Sequence, residues 1–98
     1  MINRIVRMTF DSTKLDEFIQ VFNNSKQQIA LFPGCHGLKL LQDANEKNVY
    51  YTYSLWLDDE SLQRYRRSDL FKVVWASTRA LFSDKPQAWS TTVIYNVK

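Results

Sequence analysis

The fold of this chain is constrained most by the order of two hydrophobic patterns along its sequence. One pattern repeats every two residues, and the other recurs at spacings of three and four residues. Alternation of apolar and polar residues with a period of two is typical of β-strands, and spacings of three and four residues are typical of helices. The alternation predicts four strands, over residues 2–10, 37–43, 49–57 and 88–97. The helical spacing predicts three helices, over residues 13–31, 58–67 and 68–83.

The resulting order, β-α-β-β-α-α-β, favours an α+β fold of the ferredoxin-like type. In such a fold the helices cover one face of a four-stranded antiparallel sheet. Thr13 with Asp16 three residues later has the spacing of a capping box at the start of the first helix, and Pro33-Gly34 ends that helix. Ser68 is expected to cap the third helix. With 98 residues and no linker or repeat, we expect one domain spanning residues 1–98.

The third predicted strand has apolar side chains on both faces, so its orientation decides what the helices cover. We assign Tyr51 and Tyr53 to the face under the helices, with Leu55. The opposite face then shows a contiguous apolar patch to water, made of Ile5, Leu41, Tyr50, Trp56 and Ile94. Monomers seldom expose such a patch, and a second copy stacked on it would bury both patches around a twofold axis. The sequence therefore predicts a homodimer through the open face of the sheet.

Composition limits the compartment and the class of partner. Cys35 is the only cysteine, so the chain has no internal disulfide, and no run of about 18 apolar residues is present. We therefore expect a cytoplasmic protein that does not interact with membranes. The net charge of +3 is densest at Arg64, Arg66 and Arg67, which form either a solvated helix face or an anion-binding patch. Aromatic residues reach 14%, which suggests an aromatic-lined cavity or interface besides the core.

Three segments in register resemble the antibiotic biosynthesis monooxygenase (ABM) domain family. They are Pro33-Gly34-Cys35-His36-Gly37, Tyr53-Ser54-Leu55-Trp56, and the run from Ser61 to Phe71 that contains Ser68-Asp69-Leu70-Phe71. The resemblance spans nearly the whole chain. It implies a dimeric α+β barrel that holds its ligand between the sheet and the helices. It also implies oxidation of a small phenol or quinol with O2 and without a bound metal or flavin.

One branch of that family degrades haem, and this chain departs from it at every matching position. The Asn, Trp and His of that branch fall on Val6, Tyr65 and Trp75. Without an imidazole at position 75 an axial ligand for haem iron is missing, so haem degradation is not expected. The quinol-oxidising branch shares Gly34-Cys35-His36-Gly37 with this chain, but Ser54 replaces its usual Glu and Tyr65 its usual His.

The residues expected to bind substrate are the helix-facing aromatic side chains and their neighbours. They are Val6, Phe22, Tyr51, Tyr53, Tyr65, Phe71 and Trp75. The same aromatic residues could instead be ordinary core. Tyr65 and His36 are the candidate catalytic groups, since each can exchange a proton or a hydrogen bond with a substrate oxygen. Arg4 shares the face of Val6, so it either lies at an edge or meets an anionic ligand at the mouth of the pocket.

Other sites and functions have little support in the sequence. One His, one Cys and scattered carboxylates do not reach the spacing of metal ligands, and no glycine-rich phosphate loop is present. The leading hypothesis is a cofactor-independent monooxygenase, and the second is a barrel that binds a small molecule without catalysis. RNA binding ranks last, because Val49-Tyr50-Tyr51-Thr52-Tyr53 lacks the Lys/Arg-Gly-Phe/Tyr motif of RNA-recognition sheets. No nucleic-acid partner is therefore expected.

Overall fold

The strands and helices follow the predicted order in a computed structural model that describes residues 1–98. The strands are β1 (Ile2–Thr9), β2 (Cys35–Gln42), β3 (Val49–Trp56) and β4 (Gln87–Thr91). The helices are α1 (Leu15–Ala30), preceded by a 3-10 turn at Ser12–Lys14, α2 (Asp59–Arg66) and α3 (Asp69–Arg79). The four strands form one antiparallel sheet in the order β2-β3-β1-β4. The prediction of an α+β ferredoxin-like fold is confirmed. None of the helices is long and apolar enough to cross a membrane.

Two of the predicted elements are too long, and both errors have the same physical origin in β1. Strand β4 was predicted to reach residue 97 but ends at Thr91, which pairs with Asn3 near the start of β1. Because the two strands are antiparallel, a longer β4 would run past the first residue of its partner. Helix α3 ends at Arg79 because the chain after it pairs with the other end of β1. There, Ser83 donates its backbone N–H to the carbonyl of Thr9.

The first helix is capped by a residue other than the predicted Thr13. The carboxylate of Asp11 accepts hydrogen bonds from the backbone N–H of Thr13 at 2.9 Å and from its hydroxyl at 2.7 Å. The 3-10 turn begins at Ser12, so the helical segment starts one residue earlier than the predicted residue 13. The cap predicted for α3 is confirmed, since the Ser68 hydroxyl accepts from the N–H of Phe71 at 3.1 Å.

The orientation predicted for β3 is wrong. Tyr50 and Trp56 point toward the helices and are only 8% and 0% exposed, whereas they were expected on the open face. Tyr51 and Tyr53, expected under the helices, pair with Arg7 and Ile5 on the opposite face. Because side chains alternate between the two faces of a strand, placing one residue on the wrong face places every residue of the strand on the wrong face. Ile5 and Leu41 do lie on the open face, while Ile94 follows β4 and is 80% exposed.

An aromatic core closes one end of the layer between helices and sheet. Phe10 is fully buried and stacks on Phe18 of α1 with ring centroids 4.1 Å apart, and Tyr50 packs edge-on against Phe10. Met8 and Leu81 complete the cluster. These side chains come from β1, α1, β3 and the segment after α3. The core therefore ties the two ends of the sequence to its centre.

The turn between α1 and β2 depends on Gly34. Its φ of +89° lies in the left-handed region that residues with a side chain rarely adopt. A Cβ at this position would also collide with the side chain of Ser61 in α2. Gly34 therefore permits the close approach of this turn to α2, the helix that carries Tyr65. Gly37, three residues later, has ordinary van der Waals space around the position of a Cβ.

We predict that Gly34→Ala lowers the free energy of unfolding by about 2 kcal/mol or more, because it combines backbone strain with a clash. The matched variant Gly37→Ala should change it by less than about 1 kcal/mol. Urea denaturation followed by circular dichroism measures both values. Equal stability of the two variants would contradict the role assigned to Gly34.

Candidate functional site

A cavity of about 250 Å³ lies between the sheet and the three helices, next to the aromatic core. The sheet supplies its floor, chiefly through Val6 of β1 and Thr52, Ser54 and Trp56 of β3. The helices supply its walls. The wall residues are Phe18, Phe22, Ser25 and Ile29 from α1, Leu62, Tyr65 and Arg66 from α2, and Phe71, Val74, Trp75 and Thr78 from α3. Most of this lining is apolar, as in sites for small organic ligands.

The cavity exists because β3 places small side chains in the middle of its helix-facing side. Thr52 and Ser54 stand between the large rings of Tyr50 and Trp56. Helix-facing neighbours on both adjacent strands, such as Val6 and Leu38, are of moderate size. Larger side chains at positions 52 and 54 would fill the space that the helices leave above the sheet.

Several polar groups of the lining are already hydrogen-bonded within the protein. The hydroxyls of Ser25 and Thr78 donate to backbone carbonyls of their own helices, at 2.9 Å and 2.7 Å. The indole N–H of Trp56 donates to the hydroxyl of Ser54 at 2.9 Å. These bonds satisfy donors that would otherwise be exposed to an apolar space. The cavity wall therefore behaves as an apolar surface over most of its extent.

Tyr65 is a polar group of the lining whose hydroxyl donor remains free. Its ring stacks on Trp56 with centroids 4.9 Å apart and contacts Phe71 edge-on at 5.2 Å, while its hydroxyl has no hydrogen-bond partner. Burial raises the pKa of the Tyr65 hydroxyl well above its ordinary value. Tyr65 thus stays neutral and keeps a proton that it can donate to a ligand oxygen.

Two arginines bring positive charge to the rim of the cavity. Arg4 of β1 and Arg66 of α2 both contribute to its lining, and Arg4 is half-buried while Arg66 is exposed. Arg4 donates to the hydroxyl of Ser90 in β4 at 3.1 Å. Burial lowers the pKa of Arg4, and the positive charge of Arg66 lowers it further, with Asp59 acting in the opposite direction. The rim is therefore positively charged and the interior is apolar.

The structure brings together five of the seven residues predicted to bind substrate. Val6, Phe22, Tyr65, Phe71 and Trp75 all line the cavity. They come from β1 and all three helices, so their convergence is a property of the folded chain. Phe71 and Trp75 stack with nearly parallel rings, at 5.8 Å and 10°.

Tyr51 and Tyr53 do not reach the cavity, because they lie on the other face of the sheet. The hydroxyl of Tyr51 donates to Asp43 at 2.9 Å, and that of Tyr53 donates to the buried Asn3 at 3.0 Å. The predicted aromatic cage is therefore formed without them. Thr52, Ser54 and Trp56 occupy the places that the two tyrosines were expected to take.

His36, the other candidate catalytic group, is exposed and lies outside the cavity lining. It stands where the register between β2 and β3 shifts, between the pairs Cys35–Trp56 and Gly37–Leu55. The lining contains no histidine, cysteine or carboxylate. Elsewhere in the chain, no three side chains of these types lie close enough together to hold a metal ion.

The floor residues of β3 and Arg66 were not predicted from the sequence. The signal for the floor was present, since small polar residues alternate between two large aromatic ones in Tyr50-Tyr51-Thr52-Tyr53-Ser54-Leu55-Trp56. A strand that covers a cavity has its small side chains on the covered face. Arg66 was grouped with its neighbours Arg64 and Arg67, and only the folded helix separates its side chain from theirs.

Solved structures with this fold include two proteins described as putative antibiotic biosynthesis monooxygenases. That from Caulobacter crescentus is 22% identical, with a TM-score of 0.88 over 96% of this chain and 90% of its own. That from Nitrosomonas europaea is 14% identical, with a TM-score of 0.88 over 97% and 100%. At these identities the likeness shows the fold.

SnoaB from Streptomyces nogalater, described as a cofactor-independent oxygenase, is also similar in structure. It is 22% identical, with a TM-score of 0.86 over 98% of this chain and 95% of its own. No curated protein sequence matches the chain. The sequence model of the antibiotic biosynthesis monooxygenase family, however, matches residues 1–76, a range that includes β1, β2, β3 and most of the cavity lining. Since that match covers well over half of its length, the chain belongs to the antibiotic biosynthesis monooxygenase family.

Proposed function

We propose that this protein is a cofactor-independent monooxygenase that oxidises a small phenol or quinol with O2. The observation that carries the proposal is an apolar, aromatic-lined cavity into which one neutral phenolic donor, Tyr65, presents an unpartnered hydroxyl. Membership of the monooxygenase family supports the reaction class, and the resemblance in fold to an oxygenase described as cofactor-independent supports the absence of a cofactor requirement.

The volume of the cavity suits a substrate of one or two rings. A closed apolar cavity of about 150 Å³ takes up a single benzene. The cavity here, at about 250 Å³, has room for a substituted ring or a compact bicyclic compound. Flat rings match the flat walls formed by Trp56, Phe71 and Trp75. Stacking and edge contacts of this kind stabilise aromatic pairs by about 0.5–1.5 kcal/mol beyond the burial of area.

The reaction needs no external reductant, because the substrate supplies all four electrons. A phenol C–H and one O2 give a quinone C=O and one water. The phenolate first transfers an electron to O2, and recombination forms a C–O bond at the ring carbon. Loss of the proton from that carbon and heterolysis of the O–O bond then release water. One oxygen atom of O2 stays in the product.

The contribution of the protein is to favour the phenolate and to exclude bulk water from it. A hydrogen bond donated by Tyr65 to the phenolate oxygen favours the ionised substrate. Tyr65 is unsuited to act as the base, since its raised pKa keeps it protonated. The lining has no carboxylate or imidazole, so the phenolic proton passes to solvent water. His36 is exposed and does not line the cavity, so we do not assign it this role.

One observation favours a second function, a small-molecule binder without catalytic activity. The cavity lining contains no carboxylate or imidazole that could serve as a general base. Such a protein would bind the same aromatic compounds in the same cavity. Oxygen consumption in the presence of a bound phenol separates the two functions.

The assembly that we propose is a homodimer through the face of the sheet that the helices leave uncovered. Ile5, Leu41, Tyr53 and Trp89 lie on this face, which we call the open face, and Leu41 and Trp89 are 44% and 45% exposed. The chain exposes 6677 Å². A monomer of its mass is expected to expose about 5,800 Å². The half-exposed apolar side chains of the open face and the exposed segment after β4 both contribute to this excess, and a second copy on the open face would bury part of it.

We also propose the extent of the domain and the cellular location of the protein. We propose that residues 1–98 form one domain, because β4 near the end of the chain pairs directly with β1 at its beginning. A cytoplasmic location is proposed from the use of cysteine, since the single Cys35 is a free thiol.

We predict that Tyr65→Phe lowers kcat about 100-fold for a phenol that the wild type oxidises, with little change in KM. The reason is that the lost hydrogen bond strengthens as charge develops on the substrate oxygen. An oxygen electrode measures the rates. Tyr95→Phe is the matched control, because Tyr95 is 87% exposed and does not line the cavity, and it should keep wild-type rates. Equal rates for all three proteins would exclude Tyr65 from the reaction.

We predict that kcat rises with pH as the bound phenol ionises. Tyr65 is neutral below its raised pKa, so its donor persists at pH 10, where an ordinary tyrosine is half ionised. The rate should therefore show no decline up to pH 10, and a series of phenols of increasing acidity should shift the rise to lower pH. A decline of the rate before pH 10 would contradict this prediction.

We predict that the protein has twice its chain mass of 11.6 kDa in static light scattering. A charge introduced on the open face by Leu41→Glu should shift the population toward the monomer. Val73→Glu is the matched control, since Val73 is 66% exposed on α3, away from the open face, and should leave the dimer intact. A wild-type protein that is monomeric at micromolar concentration would contradict the proposed assembly.

A further inference from the structure

Arg4 and Arg66 are the charged members of the cavity lining, and neither forms an ion pair. The ion pairs of the chain involve other arginines: Arg7 with Glu46 at 3.6 Å and Arg64 with Glu60 at 3.0 Å. Arg66 donates to the side chain of Gln63 at 3.2 Å, a neutral partner on its own helix. The two guanidinium groups at the rim thus lack a counter-charge at contact distance.

The position of Arg4 is fixed by the fold. Its backbone is paired on both sides, with Ser54 of β3 and Ser90 of β4, and its guanidinium donates to the Ser90 hydroxyl at 3.1 Å. One hydrogen bond leaves four of the five N–H donors of the guanidinium for other partners. A guanidinium held in this way presents a planar fork of donors that matches the two oxygens of a carboxylate.

The two arginines also repel each other. The charge of Arg66 and partial burial both lower the pKa of Arg4, so its charged form is less stable in the empty site than in water. Asp59 offsets this only partly, and it forms no ion pair with either arginine. An anion at the rim would relieve the repulsion and replace the lost solvation, which is the general requirement for an anion site at the mouth of an apolar cavity.

We propose that the substrate is an aromatic acid, whose ring lies in the cavity and whose carboxylate binds Arg4 and Arg66 at the rim. This inference rests on the proposed function and narrows its substrate class from small phenols to hydroxylated aromatic carboxylic acids. The carboxylate orients the ring, so that the end bearing the hydroxyl enters the apolar interior where Tyr65 lies. Arg4 and Arg66 at the rim therefore determine which substrate binds, and Tyr65 donates a hydrogen bond to the reacting phenolate.

The test compares 4-hydroxybenzoate with 4-hydroxybenzamide, which has the same shape and no charge, by isothermal titration calorimetry without O2. The wild type should bind the acid about tenfold more tightly than the amide, as expected for charge-assisted hydrogen bonds. Arg4→Gln and Arg66→Gln should each weaken binding of the acid several-fold and leave the amide unchanged. The double variant should bind both compounds equally.

Arg64→Gln is the matched control, because Arg64 lies on the same helix as Arg66, pairs with Glu60 and does not line the cavity. It should keep the preference for the acid. Arg4→Lys keeps the charge and loses the planar fork, so it should retain part of the preference. Near-ultraviolet circular dichroism of each variant verifies that the aromatic packing is unchanged.

The outcomes separate this inference from the proposed function. Equal affinities of the wild type for acid and amide, or no binding of the acid at millimolar concentration, would overturn the inference even if neutral quinols consume O2. Arginine-dependent binding of the acid without O2 consumption under air would support the ligand class and exclude the monooxygenase activity on that compound. An equal loss of acid and amide binding in Arg4→Gln would also contradict the inference.

Discussion

The alternation of β3 between two differently covered faces is the constraint on which the rest of the structure depends. Helices cover one face of the sheet, so each residue of this central strand points either into the layer beneath them or to the open face. The covered side carries large rings at its ends and small residues, Thr52 and Ser54, between them. This arrangement gives a filled core at one end and a cavity in the middle. The other side carries Tyr51, Tyr53 and Leu55, which favour contact with another protein surface.

The order and type of the elements could be predicted from the sequence because each has a strong local period and clear stop signals. Pro33-Gly34 ends α1, and Ser68 caps α3, as their residue types suggest. The limits of β4 and α3 could not be predicted, because they depend on where β1 begins and ends. Pairing partners are set by the fold, and a period within one segment contains no information about them.

The site was predictable where large apolar side chains form it and unpredictable where small ones do. Phe71 and Trp75 follow the helical period and do line the cavity. The orientation of β3 was inverted because the more apolar side of a strand is normally the buried side. Here the middle of the covered side is less apolar than the open side, since a cavity needs small residues over part of its floor. The large apolar side chains on the open side form a surface that a dimer would bury.

The chemistry of the site depends on a division between an apolar interior and a charged rim. Internal hydrogen bonds occupy the hydroxyls of Ser25 and Thr78 and the indole N–H of Trp56, whereas the hydroxyl of Tyr65 remains free to donate. A donor held in a mostly apolar space favours one orientation of a bound ring. The arginines stand where water can still solvate them. Neutral donor and positive charge are thus kept apart, and each is available for a different part of the same ligand.

The distribution of the three tryptophans makes the two surfaces of the sheet optically distinguishable. Trp56 and Trp75 line the cavity, whereas Trp89 lies beside Ile5 on the open face. Indole emission changes with the polarity and quenching groups around the ring. A molecule that enters the cavity would alter the emission of the first two, and association of two chains would alter that of the third. Variants that keep a single tryptophan would therefore report ligand uptake and self-association separately, without any attached dye.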